Sequence, residues 1–425
     1  MRHKWSIHPS RRQVLKGMTV LGATLAVPAV ARAQDSIFDT FARNRVLRNT
    51  DREGNTVAAL DSIDTVEPIL SQDTAQNLQL AIMQYEQIVA AGGWEQMPRD
   101  IFGLIAGVDR RSVSRLRDRL IMSGDVPADQ RSKKDIFDEY IDAGLRQFQA
   151  RHGLLVSGKV DAETFFALNV PADYRLQQLR LNAMRVEEIS AQLSDRYVVV
   201  NIPAATIEAI DAGLVARRHT AVVGRIDRQT PILHSKIHEI NFNPYWHVPK
   251  SIIRRDLIKY MNEDPEYLTN YRIRIFDNGG NELNPTDIDW STDDAVNYAF
   301  RQDPGGENSM GHVKINFYNK HSVYLHDTPT KSLFGENRRF HSSGCVRVEN
   351  VDALVAWLLR DNGDWDDAAV ENMFNNGDRL DVAIKNPVPI HTTYISAWAN
   401  RQGTVSFRED VYEYDKAGKV TFDDA

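Results

Sequence analysis

Residues 322–348 read SVYLHDTPTKSLFGENRRFHSSGCVRV, and they contain Cys345, the only cysteine of this 425-residue chain. A cysteine that attacks a carbonyl group needs a nearby base, donors for the developing oxyanion, and access to its substrate. The segment SVYLH predicts a short strand that ends at His326, with the imidazole free to face a cleft. Gly344 permits a tight bend that can direct the Gly344 and Cys345 amides at an oxyanion. The competing interpretation is a small buried side chain, the usual role of a lone cysteine.

His326 lies 19 residues before Cys345, which is enough chain to loop out and return alongside. We therefore predict that Cys345 is a nucleophile with His326 as its base, and His341 is the competing base. A helix predicted over 351–359 would favour a thiolate at its positive end, and Arg347 would either do the same or hold a carboxylate or loop carbonyl. We expect a thiol pKa well below the ordinary value of about 8.5.

Two segments of this region carry a resemblance to a known family. YLHDTPTKSLF (324–334) and RRFHSSGCVRV (338–348) are similar to the signature of the L,D-transpeptidase (YkuD) family, in which a histidine and a long loop precede Ser-x-Gly-Cys-x-Arg. NPYWHVPKSI (243–252) and RQDPGGENSMGHVKINF (301–317) resemble its large periplasmic branch. Many members of the family carry histidine at the position of Ser343, so the departure concerns the tuning of the site.

The resemblance implies a role for each matching residue. Cys345 would be the nucleophile and His326 the general base and acid, with the Asp327 backbone carbonyl orienting the imidazole and the Gly344 amide in the oxyanion hole. The expected substrate-binding residues are Arg347, Ser343 and Trp246, although Arg347 is equally suited to a structural role and Trp246 to packing.

A compact helical unit is predicted N-terminal to this region. FQARHGL (148–154) and SGKVDAETFFALN (157–169) resemble the small three-helix peptidoglycan-binding domain, whose third helix would start near Asp161. At the end of the preceding helix, His152 is expected to be a cation beside the helix dipole.

The expected fold class is multidomain α+β: a three-helix peptidoglycan-binding-like unit and a mostly β catalytic domain (a YkuD-like β-sandwich) with an inserted cap subdomain. The tail VPIHTTYISAWANRQGTVSF (388–407) is expected to form a closing hairpin. The predicted boundaries are a signal peptide (1–33), a helical N-terminal region (34–110), the peptidoglycan-binding-like domain (111–172), a linker helix (173–195), the catalytic domain (196–386, with its cap at about 250–310) and C-terminal strands (387–425).

The N-terminus predicts export. SRRQVLKG (10–17), a short apolar core and Ala31-Arg32-Ala33 form a secretory signal, and the paired arginines resemble the twin-arginine type; an ordinary signal peptide is the alternative. Cleavage after Ala33 would leave 45 basic and 58 acidic residues and take the net charge from −7 to −13. An acidic chain without a basic run argues against nucleic acid and against an anionic membrane surface. No later apolar stretch reaches spanning length, so no stable membrane insertion is expected. We expect a periplasmic protein.

The expected reaction is acyl transfer between peptidoglycan stem peptides, from a donor tetrapeptide to an acceptor stem, giving 3→3 cross-links. The open alternatives are an L,D-carboxypeptidase or endopeptidase, or attachment of an outer-membrane lipoprotein to peptidoglycan. A cysteine peptidase and a non-catalytic wall-binding protein are the other classes considered. Carbapenem β-lactams are the expected inhibitors. The sequence offers no metal-ligand spacing and no phosphate loop, so no cofactor and no metal are expected.

Overall fold

The computed structural model describes residues 65–132 and 134–422. The predicted signal segment (1–33) and the beginning of the 34–110 region lie outside the described residues. Within the described chain the helices come first: α1 (Thr74–Ala90), α2 (Val113–Met122), α3 (Glu139–Arg151), α4 (Ala162–Leu168) and α5 (Ala172–Ser190). None of the helices in the described ranges is long and apolar enough to cross a membrane.

Helices α2, α3 and α4 form the predicted three-helix unit around one hydrophobic cluster, to which Val113, Leu145 and Leu168 contribute. Helix α4 begins after Asp161, as predicted, because the Asp161 carboxylate accepts a hydrogen bond from the Thr164 amide at 2.8 Å.

The expectation of a cationic His152 is wrong. The ring is buried and stacks on Phe148 with the ring centroids 3.9 Å apart. Burial, followed by the charge of Arg151, lowers the His152 pKa well below its ordinary value, so the ring is neutral.

Helix α5 does more than connect the two regions. Its residues Leu176, Leu179 and Val186 share a hydrophobic cluster with α1 and with one face of the large sheet. The sequence predicts a linker helix here, but the helix packs between α1 and the large sheet and is part of the hydrophobic core.

The region predicted to be catalytic is built on one large sheet. Its strands are β1 (Arg196–Asn201), β2 (Thr206–Asp211), β3 (Leu214–Gly224), β4 (Leu233–Phe242), β9 (Val313–Phe317), β10 (Leu325–His326), β11 (Phe340–Ser342), β12 (Val346–Val348) and β13 (Leu380–Thr393). They are ordered β11-β3-β12-β10-β9-β4-β13-β1-β2, and β2 also pairs with β3, so that the ladder closes on itself. Helices α9 (Val351–Leu359) and α10 (Asp367–Asn376) contribute to its main hydrophobic core.

The expected closing hairpin at 388–407 is only half correct. Residues 388–393 complete β13, which runs parallel to β1, and only β14 (Ala397–Ala399) and β15 (Val405–Phe407) form a hairpin. The register of β13 against β4 shifts between Ala383 and Val388. Pro387 lies within this irregularity, where a strand tolerates a residue without an amide proton, and the strand therefore continues past the apparent break.

The inserted cap has its own sheet and core. A helical stretch runs from α6 (Lys250–Ile252) through the π-helical Ile253–Leu257 to α7 (Ile258–Glu263), followed by α8 (Tyr267–Asn270). Strands β5 (Trp246–His247), β6 (Ile273–Phe276), β7 (Glu282–Leu283) and β8 (Ala299–Gln302) form a separate sheet in the order β5-β8-β6-β7. Ile253, Leu268 and Phe300 lie in the cap's own hydrophobic cluster.

Candidate active site

The candidate site lies on one face of three neighbouring strands. Strand β10 pairs in parallel with β12, placing His326 opposite Arg347, and antiparallel with β9, placing His326 opposite Lys314. Residues that alternate with these, Leu325 and Val346, lie in the main core. Because side chains alternate across a strand, Tyr324 and Cys345 lie on the same face as His326. The alternation of side chains therefore places His326, Cys345, Arg347 and Lys314 together on the face that points away from the core.

His326 is held by the residue that follows it. Its Nδ1 donates to the backbone carbonyl of Asp327 at 2.5 Å, which leaves Nε2 as the acceptor of the neutral ring. The buried Asp327 carboxylate accepts the His312 amide at 3.0 Å and forms an ion pair with Lys331. The carbonyl that contacts the imidazole is thus part of an anchored turn.

The thiol of Cys345 is partly buried and lies beside a tyrosine. The hydroxyl and the backbone amide of Tyr324 are both within hydrogen-bonding reach of the sulfur. The Tyr324 hydroxyl also lies near the indole of Trp246. Trp246 packs on the cap core as well, and so it joins the cap to the site through Tyr324.

The expected low thiol pKa is contradicted. Burial raises the pKa of Cys345, and the lowering effects of Tyr324, Lys314 and Arg347 are smaller. Burial, with Arg347 next, lowers the pKa of His326 to about 3, so the imidazole is neutral near pH 7. A neutral thiol therefore lies near a neutral imidazole, and the thiolate–imidazolium pair is not the resting state.

Arg347 and Lys314 supply positive charge to this face. The Arg347 Nε is buried and has no hydrogen-bond partner among the described residues. Burial lowers the pKa of both side chains, but each remains a cation near neutral pH. The half-buried Arg347 guanidinium thus places a positive charge near the thiol, which favours an anionic group of a substrate.

The loop before the thiol has the expected bend at Gly344, but the Gly344 amide does not have the expected role. Gly344 has φ +116, the bend for which glycine was predicted. Its amide, however, donates to Ser342 Oγ at 3.2 Å, and Ser342 Oγ donates to the Cys345 carbonyl at 2.5 Å. The Gly344 amide is thus engaged within the loop and not directed at an oxyanion, which leaves the Cys345 amide as the backbone candidate.

Ser343 is exposed and accepts a hydrogen bond from Arg228 Nη1 at 2.9 Å. Arg228 in turn holds Asp256 of the π-helical cap segment through bonds of 2.5 and 2.8 Å. Ser343 is therefore connected to the cap through Arg228.

His341 is held away from a catalytic position. Its Nε2 bonds to Glu336 Oε2 at 2.6 Å and to the Arg338 carbonyl at 2.9 Å, and the residue is exposed.

Sequence reasoning missed four residues of this site. Tyr324 and Lys314 could have been found from strand alternation, since YLHD and VKINF place them on the face of His326. Arg228 and Asp256 meet across a long interval of chain and leave no local pattern. Among the residues that the structure describes, no group of three or more His, Cys, Asp or Glu side chains is placed to hold a metal ion.

Comparisons with known proteins match two parts of the chain. Residues 195–390 match the family model described as L,D-transpeptidase catalytic domain, and residues 110–168 match the one described as "Putative peptidoglycan binding domain". A protein of Haemophilus influenzae named "Putative L,D-transpeptidase" is 34% identical over 241 residues, which cover 56% of this chain and 48% of that protein. The chain thus spans about half the length of this curated relative.

Solved structures are similar over comparable ranges. An L,D-transpeptidase from Stackebrandtia nassauensis matches 71% of this chain and 97% of its own, with 13% identity and a TM-score of 0.25. An L,D-transpeptidase from Mycobacterium smegmatis matches 47% of this chain and 58% of its own, with 16% identity and a TM-score of 0.23.

Proposed function

We propose that this chain, which contains an L,D-transpeptidase catalytic domain preceded by a peptidoglycan-binding domain, forms 3→3 cross-links in peptidoglycan through an acyl-enzyme on Cys345. The proposal rests above all on one observation: the only thiol of the chain shares a sheet face with a neutral imidazole whose Nδ1 is fixed by a backbone carbonyl. The protein would act in the periplasm, after export by the twin-arginine route.

In the first step, the sulfur attacks the carbonyl of the L-centre of diaminopimelate in a donor tetrapeptide stem. As the S–C bond forms, the thiol proton passes to Nε2 of His326. The C–N bond to the terminal D-Ala then breaks, and the departing amine takes the proton from His326. The products are a thioester on Cys345 and free D-Ala.

In the second step, an amine of an acceptor stem attacks the thioester and gives a proton to His326. The new C–N bond forms, the C–S bond breaks, and the proton returns to the sulfur. The positive charges of Lys314 and Arg347 and the Tyr324 hydroxyl would stabilise the charge on sulfur and on the tetrahedral oxygen. The Cys345 amide is the proposed backbone donor to that oxygen.

A neutral resting pair supports this mechanism. Nε2 of His326 is already an acceptor, so the proton moves only as the sulfur attacks, and no free thiolate is required beforehand. Arg347, whose positive charge lies near the thiol, would bind a carboxylate of the donor stem.

The nucleophile is tested by intact-mass measurement after reaction with a carbapenem. Attack on the β-lactam carbonyl opens the ring and adds the whole drug, so we expect one adduct on the native protein and none on Cys345→Ser. Serine keeps the shape of the side chain, but its hydroxyl is a far weaker nucleophile, and cross-linking should fall by about two orders of magnitude or more. A native protein that forms cross-links without taking up the drug would refute the assignment of Cys345.

The base is tested in the same assay with a matched pair of histidines. His326→Ala should abolish the adduct, whereas His341→Ala should retain most of it, because His341 is bound to Glu336. Loss of the adduct in His341→Ala alone would reverse the assignment.

The acceptor is tested by mass spectrometry of muropeptides incubated with the protein. New 3→3 dimers are the expected product. Trimmed monomers alone would make the protein a carboxypeptidase, and a lipoprotein-linked product would identify a lysine as acceptor.

A further inference from the structure

A second cavity lies outside the candidate active site. It has a volume of about 750 Å³ and opens between the three-helix unit, helix α5, the segment 337–340 and the end of the C-terminal hairpin. Its lining includes Glu163, Phe166, Tyr174, Arg175, Phe340 and Arg408. This volume is in the range of sites that bind small molecules or peptides.

The walls of this cavity are fixed to one another. Arg151 Nη1 of α3 donates to the Val405 carbonyl at 2.9 Å, and Arg408 Nη1 donates to the Arg151 carbonyl at 2.9 Å. Asn337 Nδ2 donates to Glu163 Oε2 at 3.2 Å across the opening. The three-helix unit therefore has a defined position on the catalytic region, and the cavity is preformed.

The cavity contains positive charge that the protein does not neutralise. Arg175 is buried and Arg408 partly so, and neither forms an ion pair with a carboxylate among the described residues. Burial lowers their pKa to about 10 and about 9, and both stay charged near pH 7. A buried cation without a counterion favours an anionic ligand.

One carboxylate of the lining forms an ion pair, and two others accept hydrogen bonds from neutral groups. Glu409 pairs with Arg338 at 2.7 Å, Glu163 accepts from Asn337, and Asp410 accepts from the Tyr394 hydroxyl at 2.7 Å. Asp173 is exposed near the rim. The buried part of the cavity thus attracts carboxylate, while the rim can accept an amine.

The cavity is connected to the loop that carries the thiol. A smaller cavity of about 500 Å³ shares Arg338 and Phe340 with it and continues beside residues 225–227. Phe340 and Cys345 are separated by at most about 18 Å of extended chain, while an extended tetrapeptide spans about 14 Å. The length of an extended stem tetrapeptide is therefore comparable to the separation between the cavity and the thiol.

We propose that the 750 Å³ cavity binds the carboxylate-bearing stem peptide of a peptidoglycan strand and so holds that strand beside Cys345. The proposal rests on the proposed function for the identity of the polymer. Carboxylates of the stem would pair with Arg175 and Arg408, and the half-exposed rings of Phe166 and Tyr174, 43% and 36% exposed, would contact its apolar and sugar surfaces.

The test is calorimetric binding of a soluble disaccharide-tetrapeptide to the full chain carrying Cys345→Ala, which prevents turnover. We expect amidation of the ligand carboxylates to weaken binding about tenfold, and Tyr174→Ala and Arg408→Gln each to weaken it several-fold or more. Tyr140→Ala is the matched control, since Tyr140 lies on the neighbouring three-helix unit with a similar exposure of 37% and does not line the cavity.

Equal affinity for the free and amidated ligands, or equal affinity of the Tyr174→Ala and Tyr140→Ala proteins, would overturn the proposal. Thermal unfolding of each variant identifies a folding defect, and the ligand-side comparison is independent of folding. The carbapenem reaction of the native protein, run in parallel, distinguishes failure of the proposed function from failure of the cavity proposal. The absence of an adduct would refute the proposed function. An adduct, together with affinities that neither amidation nor Tyr174→Ala changes, would refute only the proposal for the cavity.

Discussion

The proton distribution between Cys345 and His326 follows from burial. Each group loses its charged form when it leaves water, and the two nearby cations further disfavour an imidazolium. The positive charges of Lys314 and Arg347 act in opposite directions on the two residues: they disfavour the charged imidazole and favour the charged thiolate. Desolvation is the largest influence on both, and it leaves both residues neutral.

This distribution predicts a specific pH dependence. Because the folded thiol pKa is raised, the ultraviolet absorbance of a thiolate, measured as native minus Cys345→Ser, should be absent near neutral pH. It should rise only at pH values above the ordinary thiol pKa of about 8.5.

The unfolded chain is the internal control and should titrate near the ordinary value. Thiolate absorbance that is already complete at neutral pH in the folded protein would show that an ion pair is the resting state. It would then be His326, with a raised pKa, that holds the second proton.

The sequence sufficed to single out Cys345 and His326, because a strand-end histidine and a glycine bend are local patterns. The direction of their pKa shifts could not be predicted from it. That direction depends on how deeply the face is covered and on Tyr324, whose contact with Trp246 is made only when the cap is in place.

At the level of elements, the turn between β10 and the following loop depends on Gly311. This residue has φ +58, and a Cβ built on it would overlap Asp327 Oδ2. The same Asp327 donates its amide to the Val313 carbonyl at 3.0 Å and accepts His326 Nδ1. Glycine is required here by both the conformation and the space.

Gly311→Ala should therefore displace Asp327 and with it the imidazole. We expect the rate of carbapenem acylation, followed by intact mass, to fall at least about tenfold, equivalent to about 1.4 kcal/mol of activation free energy. Gly213→Ala is the matched control, because Gly213 has φ +78 in the β2–β3 turn with open space around it. It should cost about 1 kcal/mol of stability and leave acylation unchanged. Equal acylation rates in the two variants would contradict this account of Gly311.

Elements whose apolar residues recur at helical or strand spacing could be predicted from the sequence. Elements that form only through pairing with neighbouring strands could not. The helix predicted over 351–359 is observed as Val351–Leu359. The strands of the cap are two to four residues long, too short to show a period, and β13 continues through Pro387 only because its partner strands supply the ladder.

At the level of the whole molecule, a buried ion pair helps to fix the three-helix unit to the catalytic region. Arg151 forms two hydrogen bonds with Asp125, of 2.6 and 2.7 Å, and both side chains are at most 3% exposed. The same guanidinium reaches Val405 of the hairpin. Removing the carboxylate would leave a buried cation without its counterion.

Asp125→Ala should lower the free energy of unfolding by about 3–5 kcal/mol, measured by thermal or denaturant unfolding. Asp118→Ala is the control from the same unit. Its ion pair with Arg131 is 3.9 Å long and well exposed, and its loss should cost less than about 1 kcal/mol. Similar losses for the two variants would mean that the buried pair adds nothing to the attachment.

The protonated state of Cys345 also bears on how the protein survives oxidants. Thiolates, and not thiols, attack peroxides and disulfides, and sulfenic acid on a chain with one cysteine has no internal partner to resolve it. In the proposed mechanism the thiol loses its proton only during attack on a carbonyl, and it would offer such reagents little to react with between turnovers. The burial that delays ionisation would thereby protect the single sulfur from irreversible oxidation.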